Sequence, residues 1–255
     1  MHDDNPKTLN RRDFVGLLAA TAITPVLPAW RLVSEGPRLT ARPGKPTAKW
    51  ESGLTPLWET KPGAFLYIPK SYDPQKPVPV VVALHGAGQR ATFSLRMWTA
   101  QADTAGFVLL AAESGGMTWD AIRGQYGDDV ARLDRALTFV FERVNADPKR
   151  IIMQGFSDGA SYGTGLALNN RDLFTRIVAN SPGFVTAYDR RGSGPKPTIF
   201  VSHGHQDQIL PFDRAGQRVV QQLRGEGYSV QFREFDGGHG VPTDVAADAV
   251  KFIMR

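Results

Sequence analysis

A serine between two glycines is the clearest candidate for chemistry in this sequence. Residues 151–163 read IIMQGFSDGASYG, so Ser157 lies two residues after Gly155 and two residues before Gly159. A serine on a sharp turn between a strand and a helix needs neighbours almost without side chains at those two positions, because backbone segments come close there. The pattern predicts a nucleophile whose hydroxyl is exposed by the turn; an ordinary glycine-rich loop is the alternative.

Such a serine needs a base to take its proton and a carboxylate to orient that base. The sequence contains five histidines. The chain order Ser, acid, His, which is typical of a nucleophile on this kind of turn, selects His239 as the base. Asp207 follows an apolar run at a suitable distance and is the predicted acid. Asp213 and Asp236 remain rivals, although Asp213 is expected to begin a helix and Asp236 is close to His239 in sequence.

The carbonyl oxygen that gains charge during attack needs hydrogen-bond donors already in place. One predicted donor is the backbone N–H of Asp158, the residue after the nucleophile. The other is the N–H of Ala87 in the turn HGAGQ at 85–89, with Gly86 as the neighbouring candidate. His85 is expected to orient this turn. The Asp158 side chain is expected to cap the helix that begins at the nucleophile.

Four further residues could take part in binding. Trp119 and Asp120 are predicted to contact substrate in the cleft, and a packed tryptophan is the alternative for Trp119. His203 and His205 together with Asp207 could be imagined as metal ligands. We predict no metal site, because a hydrolase triad already accounts for Asp207 and the spacing matches no common metal motif. No metal or organic cofactor is expected.

The elements that must position these residues alternate along the chain. Short apolar runs predict strands at 64–69, 78–86, 107–112, 150–154, 176–180, 198–204 and 230–235. Helical spacing predicts helices at 91–106, 128–144, 161–170, 214–223 and 243–254. Strands that alternate with helices indicate an α/β fold, with a mostly parallel sheet and helices on both faces. Residues that follow parallel strands meet at one edge of such a sheet, which is where ligands bind.

Length and charge restrict the function. The chain has 255 residues, enough for one substantial core, and a formal net charge of +5. The basic residues are spread thinly, so we predict no nucleic-acid partner. Cysteine is absent, which excludes disulfides and a cysteine nucleophile.

The first 29 residues predict an export signal. Arg11 and Arg12 precede an apolar stretch from Val15 to Leu27, an arrangement that resembles a bacterial twin-arginine signal. We therefore predict an exported protein, periplasmic or secreted, with no stable membrane span after processing. Residues 30–62 are rich in proline and glycine and are predicted to be an extended lead-in, with an edge strand near its end, to a catalytic domain at 63–255. No oligomeric state is predicted.

Several motifs together resemble one family. The segments VVVALHGAGQ, DPKRIIMQGFSDGASYG, VSHGHQDQILP and REFDGGHGVP are similar to bacterial serine esterases of the α/β-hydrolase superfamily, of the predicted phospholipase/carboxylesterase type, near the polyhydroxybutyrate depolymerase and feruloyl esterase group. The resemblance covers about residues 60–254. It implies the α/β-hydrolase fold with eight strands and a Ser157–Asp207–His239 triad. Where such families often have HGTxD, this chain has HGHQD, so His205 replaces a small residue. The sequence has no long insertion for a cap domain.

The activity expected from this reading is hydrolysis of a small-molecule carboxylic ester through an acyl-enzyme. Two alternatives stay open. One is a binding protein that keeps the fold without catalysis. The other is a peptidase or acyltransferase that uses the same three side chains.

Overall fold

The computed structural model describes residues 37–58, 63–192 and 194–255. The predicted export signal at 1–29 and part of the predicted lead-in lie outside the described residues. The described part contains one eight-stranded sheet with the order β1-β2-β4-β3-β5-β6-β7-β8. Its strands are β1 (Gly53–Pro56), β2 (Ala64–Ile68), β3 (Val78–Leu84), β4 (Val108–Ala112), β5 (Ala146–Phe156), β6 (Arg176–Asn180), β7 (Thr198–Gly204) and β8 (Val230–Phe235).

The sheet is mostly parallel, as the sequence predicts. The strands β4, β3, β5, β6, β7 and β8 pair in parallel, and β1 and β2 add an antiparallel edge. All seven residues of β3 and all five residues of β4 are buried. A continuous apolar run of this kind suits a strand that is covered on both faces.

Five helices cover the two faces. They are α1 (Ala91–Ala105), α2 (Asp128–Phe141), α3 (Asp158–Asn169), α4 (Gly216–Gly225) and α5 (Thr243–Met254). One hydrophobic cluster joins the sheet to α2, α3 and α4, and a second joins it to α1 and α5. Helix α1 ends at Gly106, whose φ of 74° lies in the left-handed region that glycine adopts without a steric cost.

Several element boundaries differ from the sequence prediction, two of them by three residues or more at their start. Strand β5 begins at Ala146 rather than at residue 150, because Ala146 pairs with Val78 ahead of an irregularity in the ladder. Helix α3 begins at Asp158, directly after the nucleophile turn, and not at residue 161. The edge strand predicted near the end of the lead-in is β1, which pairs with β2.

The arrangement leaves the ends of the central strands accessible. No helical domain is inserted between strands of the described sheet, in agreement with the prediction of no large cap. Among the described residues, no helix is both long enough and apolar enough to cross a membrane. Because these strands are parallel, the segments that follow β3, β5, β7 and β8 meet at one edge of the sheet.

Candidate active site

The turn after β5 holds Ser157 in a strained backbone conformation. Its φ of 55° and ψ of −119° are unusual for a residue with a side chain. A Cβ atom at Gly155 would overlap the carbonyl oxygen of Gly159, and a Cβ atom at Gly159 would overlap the carbonyl oxygen of His85. Both glycines are therefore required by close backbone approach. The Ser157 N–H donates to the carbonyl oxygen of Asn180 at 2.9 Å, which ties the turn to β6.

Three side chains from distant parts of the chain form one hydrogen-bonded line. His239 Nε2 lies 2.9 Å from Ser157 Oγ, and His239 Nδ1 lies 2.7 Å from Asp207 Oδ2. A carboxylate only accepts, so Nδ1 carries a hydrogen and Nε2 is free to accept the serine proton. The Asp207 side chain is fully buried and the His239 side chain is 16% exposed. A hydroxyl, an imidazole and a buried carboxylate in this geometry could act as nucleophile, general base and orienting acid.

Backbone hydrogen bonds between two loops hold the acid and the base together. The N–H groups of His205 and Gln206 donate to the carbonyl oxygens of Phe235 and Gly237, both at 2.9 Å. A Cβ atom at Gly204 would overlap the Gly237 carbonyl oxygen, so glycine is needed where these loops meet. The loop that carries Asp207 is thus paired with the loop that carries His239.

The turn at 85–89 is organised by the buried ring of His85. Ser114 N–H donates to His85 Nε2 at 3.0 Å, so the ring hydrogen is on Nδ1, which donates to the Gly86 carbonyl oxygen at 2.8 Å. In a trans peptide the C=O and the next N–H point in opposite directions. The Ala87 N–H therefore points away from His85. This agrees with the expectation that His85 orients the turn.

Two backbone N–H groups remain available next to the nucleophile. The Gly86 N–H donates to Gln89 Oε1 at 3.0 Å and is therefore engaged, which leaves Ala87 rather than Gly86 as the donor of this turn. In the described part of the chain, no acceptor contacts the Ala87 N–H. Asp158 is the first residue of α3, so its N–H has no acceptor within the helix. These two groups could hold an oxyanion.

The Asp158 side chain differs from the sequence expectation. Its Oδ2 accepts a hydrogen bond from the Thr118 hydroxyl at 2.6 Å. The expectation of a simple helix cap is therefore wrong, because the carboxylate bridges from α3 to the 113–127 loop. Its charge still lies in the first turn of α3, where the helix dipole favours an acid.

Trp119 is buried away from any cleft, whereas Asp120 lines a surface pocket with Thr118 and Arg132. Trp119 is only 1% exposed, and its indole N–H donates to the His85 carbonyl oxygen at 2.9 Å. Asp120 Oδ2 accepts from the N–H groups of Gly127 and Asp129, each at 2.9 Å. Burial raises the pKa of Asp120. The prediction that Trp119 contacts substrate is wrong, because Trp119 packs beneath the turn at 85–89. The role predicted for Asp120 stays a prediction.

The rival acids and His205 lie away from the contact between Asp207 and His239. Asp213 and Asp236 are exposed, whereas Asp207 is buried against the base. His205 Nε2 lies 3.1 Å from Glu234 Oε2, and its ring stacks on Phe212. Among the described residues, no group of three or more histidine, cysteine or acidic side chains could hold a metal ion.

Solved structures of other proteins share this fold. A thermostable esterase aligns with a TM-score of 0.61 and 19% identity over 78% of this chain, which spans 62% of that protein's chain. Fluorophosphonate-binding serine hydrolase F of Staphylococcus aureus, solved with bound substrate, aligns with a TM-score of 0.62 and 16% identity over 81% of this chain and all (100%) of the other. At these identities the likeness establishes the α/β-hydrolase fold.

Comparisons of the sequence with known proteins find similar esterases. The family described as Phospholipase/Carboxylesterase matches residues 135–255, a stretch that contains Ser157, Asp207 and His239. Feruloyl esterase C of Emericella nidulans is 26% identical over 228 residues, covering 74% of this chain and 82% of that protein. The chain is therefore similar in sequence to the phospholipase/carboxylesterase family and has the α/β-hydrolase fold, and together these findings support a carboxylic ester hydrolase. The resemblance noted from the motifs is thereby confirmed.

Sequence reasoning missed several partners in the esterase site. Asn180 anchors the Ser157 N–H, and the N–H groups of Ile209 and Leu210 donate to Asp207 Oδ1 at 2.9 and 2.8 Å. These are backbone contacts, for which residue type carries no signal. The Thr118 hydroxyl also has no local signal, because its partner is 40 residues away.

Two buried histidines should make the stability of the esterase depend on pH. Burial lowers the pKa of both His85 and His203 below the ordinary 6.5. Below about pH 6.5 the unfolded chain binds protons on these rings that the folded chain does not, so the free energy of unfolding should fall as pH decreases. Denaturant unfolding between about pH 8 and pH 5 measures this. A His85→Gln, His203→Gln double variant should show a shallower decrease; an unchanged slope would contradict the prediction.

Proposed function

We propose that this esterase hydrolyses carboxylic esters through an acyl-enzyme on Ser157, with His239 as the general base and Asp207 as the acid that orients it. The observation that carries the proposal is the continuous line of hydrogen bonds from Ser157 Oγ through the His239 ring to Asp207 Oδ2, at 2.9 and 2.7 Å. The Nδ1–H tautomer of His239 leaves Nε2 as an acceptor aimed at the hydroxyl.

The reaction follows from the positions of these groups. Ser157 Oγ attacks the ester carbonyl carbon while its proton moves to His239 Nε2, and the N–H groups of Ala87 and Asp158 stabilise the resulting oxyanion. The protonated ring then gives its proton to the departing alcohol, which leaves an acyl group on Ser157. Water, deprotonated by the same ring, attacks the acyl-enzyme and releases the acid.

An acyl-enzyme can be observed directly with p-nitrophenyl acetate. Rapid mixing should release a burst of one p-nitrophenolate per active site, and acid-quenched protein should carry one acetyl group on the peptide that contains Ser157. Hydrolysis without an acetylated Ser157 peptide would overturn the proposal. Adding amines or alcohols as acceptors distinguishes hydrolysis from acyl transfer. A protein that neither hydrolyses nor becomes acylated would favour the binding-protein alternative.

Exposed apolar side chains on the loops next to the site suggest the substrate class. Met117, Phe184 and Ile209 are 76%, 46% and 70% exposed. Their backbones contact Asp207 or segments next to the site. Gly88 N–H donates to the Met117 carbonyl oxygen, Phe184 N–H donates to Ser161 Oγ, and Ile209 N–H donates to Asp207 Oδ1. This apolar rim supports a preference for esters with an apolar group larger than acetyl.

Substitutions in the apolar rim should change the preference for acyl length. We expect Met117→Ser and Phe184→Ser each to lower kcat/KM for p-nitrophenyl hexanoate by about tenfold, because lost apolar contact of this size is worth one to two methylene groups. The acetate ester should be affected by less than about twofold. Leu54→Ser is a matched control, since Leu54 is 52% exposed on the distant strand β1. Equal losses for both esters would contradict the assignment. A feruloyl ester should be added to the same series of substrates, because the Emericella relative is named as a feruloyl esterase.

We also propose that residues 1–29 direct export of the esterase through the twin-arginine route. The support is the Arg11–Arg12 pair followed by an apolar stretch. In a bacterial host, an Arg11→Lys, Arg12→Lys variant should stay in the cytoplasm while the parent reaches the periplasm or the medium. Equal distribution of the two would overturn the proposal.

A further inference from the structure

A second histidine contacts the acid of the proposed triad. His203 lies at the end of β7 and is fully buried. Its Nε2 is 2.7 Å from the Leu210 carbonyl oxygen and 3.2 Å from Asp207 Oδ2. A carbonyl oxygen can only accept, so Nε2 must carry a hydrogen, which it donates to Leu210 while Asp207 Oδ2 lies close beside it.

The other side of the His203 ring fixes its protonation state. In the described part of the chain, no hydrogen-bond partner contacts its buried Nδ1. A Cβ atom at Gly216 would overlap this edge of the ring, so the backbone at the start of α4 packs directly against it. A second proton on Nδ1 would be buried without an acceptor. Burial accordingly lowers the pKa of His203, and the ring is a neutral donor through Nε2 alone.

Asp207 therefore receives three hydrogen bonds and has the His203 N–H as a fourth neighbour. The N–H groups of Ile209 and Leu210 donate to Oδ1. His239 donates to Oδ2, and His203 Nε2 lies 3.2 Å from the same oxygen. Leu210 takes part twice, since its N–H donates to Asp207 and its carbonyl oxygen accepts from His203. The contacts among His203, Asp207 and Leu210 close a small ring that restricts rotation of the carboxylate.

We propose that His203 is a positioning residue, which holds the Asp207 carboxylate so that Oδ2 faces Nδ1 of His239 throughout the reaction. The inference rests on the proposed triad. His203 lies behind Asp207 and contacts neither the nucleophile nor the base, so its effect reaches the reaction only through the carboxylate. Loss of its N–H should impair the chemical step and leave substrate binding unchanged.

The test compares two variants of His203 in the full-length esterase. In His203→Leu the donor is lost, and kcat should fall about 10-fold to 100-fold while KM changes by less than about twofold. In His203→Gln a side-chain amide can replace the Nε2 hydrogen, so kcat should return to within about threefold of the parent. His205→Leu is the matched control, because His205 contacts Glu234 and Phe212 and not Asp207. Parent-like kcat in His203→Leu, or equal losses in His203→Leu and His203→Gln, would overturn the inference.

A double-variant cycle separates this inference from the proposed function. His203→Leu should cost nothing further in an Asp207→Asn background, because the group on which it acts has gone. Additive losses would show a general structural role and would overturn the inference. If Asp207→Asn itself keeps the parent rate, the proposed triad fails. If Asp207→Asn is inactive and His203→Leu is fully active, only the role of His203 fails.

A measurement on the unsubstituted protein covers the case in which His203→Leu does not fold. Nitrogen-15 NMR of the histidine rings at neutral pH should show His203 as the neutral Nε2–H tautomer, with its signal assigned from its absence in His203→Gln. The neutral Nδ1–H tautomer or a charged ring would overturn the inference.

Discussion

Replacement of Ser157 by alanine should lower kcat/KM for a p-nitrophenyl ester by about 10⁴-fold or more. Alanine removes the attacking oxygen, and the neighbouring oxyanion donors cannot supply a nucleophile. The fold should be retained, because alanine occupies the same backbone position and the glycines that permit the turn are unchanged. The decrease is measured as initial hydrolysis rates, with circular dichroism confirming that the variant is folded.

The control for this variant is a second serine, which lies away from the edge of the sheet that carries Ser157. Ser71 is exposed in the turn after β2, so Ser71→Ala should keep the parent rate. A Ser157→Ala protein that is folded and retains more than about one tenth of the parent activity would rule out Ser157 as the nucleophile.

Replacement of Asp207 by asparagine should lower kcat by about 10⁴-fold through a change of tautomer. The amide oxygen is expected to take the place of Oδ1, where the N–H groups of Ile209 and Leu210 donate. The amide NH₂ then faces His239 Nδ1, which must accept instead of donate. The ring hydrogen moves to Nε2 and points at Ser157, so the base can no longer take the serine proton.

Two matched controls distinguish Asp207 from the other candidate acids. Asp213 and Asp236 are exposed, and Asp213→Asn and Asp236→Asn should each change kcat by less than about twofold. A large loss in either control, together with a small loss in Asp207→Asn, would assign the acid elsewhere.

The sheet was predictable because its signal is local. Strands β6, β7 and β8 have the predicted boundaries, since each is a short apolar run that ends before a loop. The nucleophile turn also has a local signature, because Gly155 and Gly159 are required by contacts within a few residues of Ser157 or with the adjacent strand. Asp207 and His239 could be selected from chain order, and the structure brings both within hydrogen-bonding distance of their partners.

The 113–127 loop was not predictable, because long-range contacts determine its conformation. Trp119 has the same sequence appearance whether it lines a cleft or packs; its burial depends on the His85 carbonyl oxygen and on stacking with Tyr162. Asp158 is a residue type that commonly caps helices, yet its carboxylate accepts a hydrogen bond from a hydroxyl 40 residues away. His203 likewise gave no sign in the sequence of its contact with Asp207.

Covalent labelling with a fluorophosphonate tests the identity of the nucleophile most directly. The full-length protein should react once, and peptide mass spectrometry should place the adduct on Ser157. Labelling should disappear in Ser157→Ala and persist in Ser71→Ala. An adduct on another residue, or undiminished labelling of Ser157→Ala, would contradict the proposed mechanism.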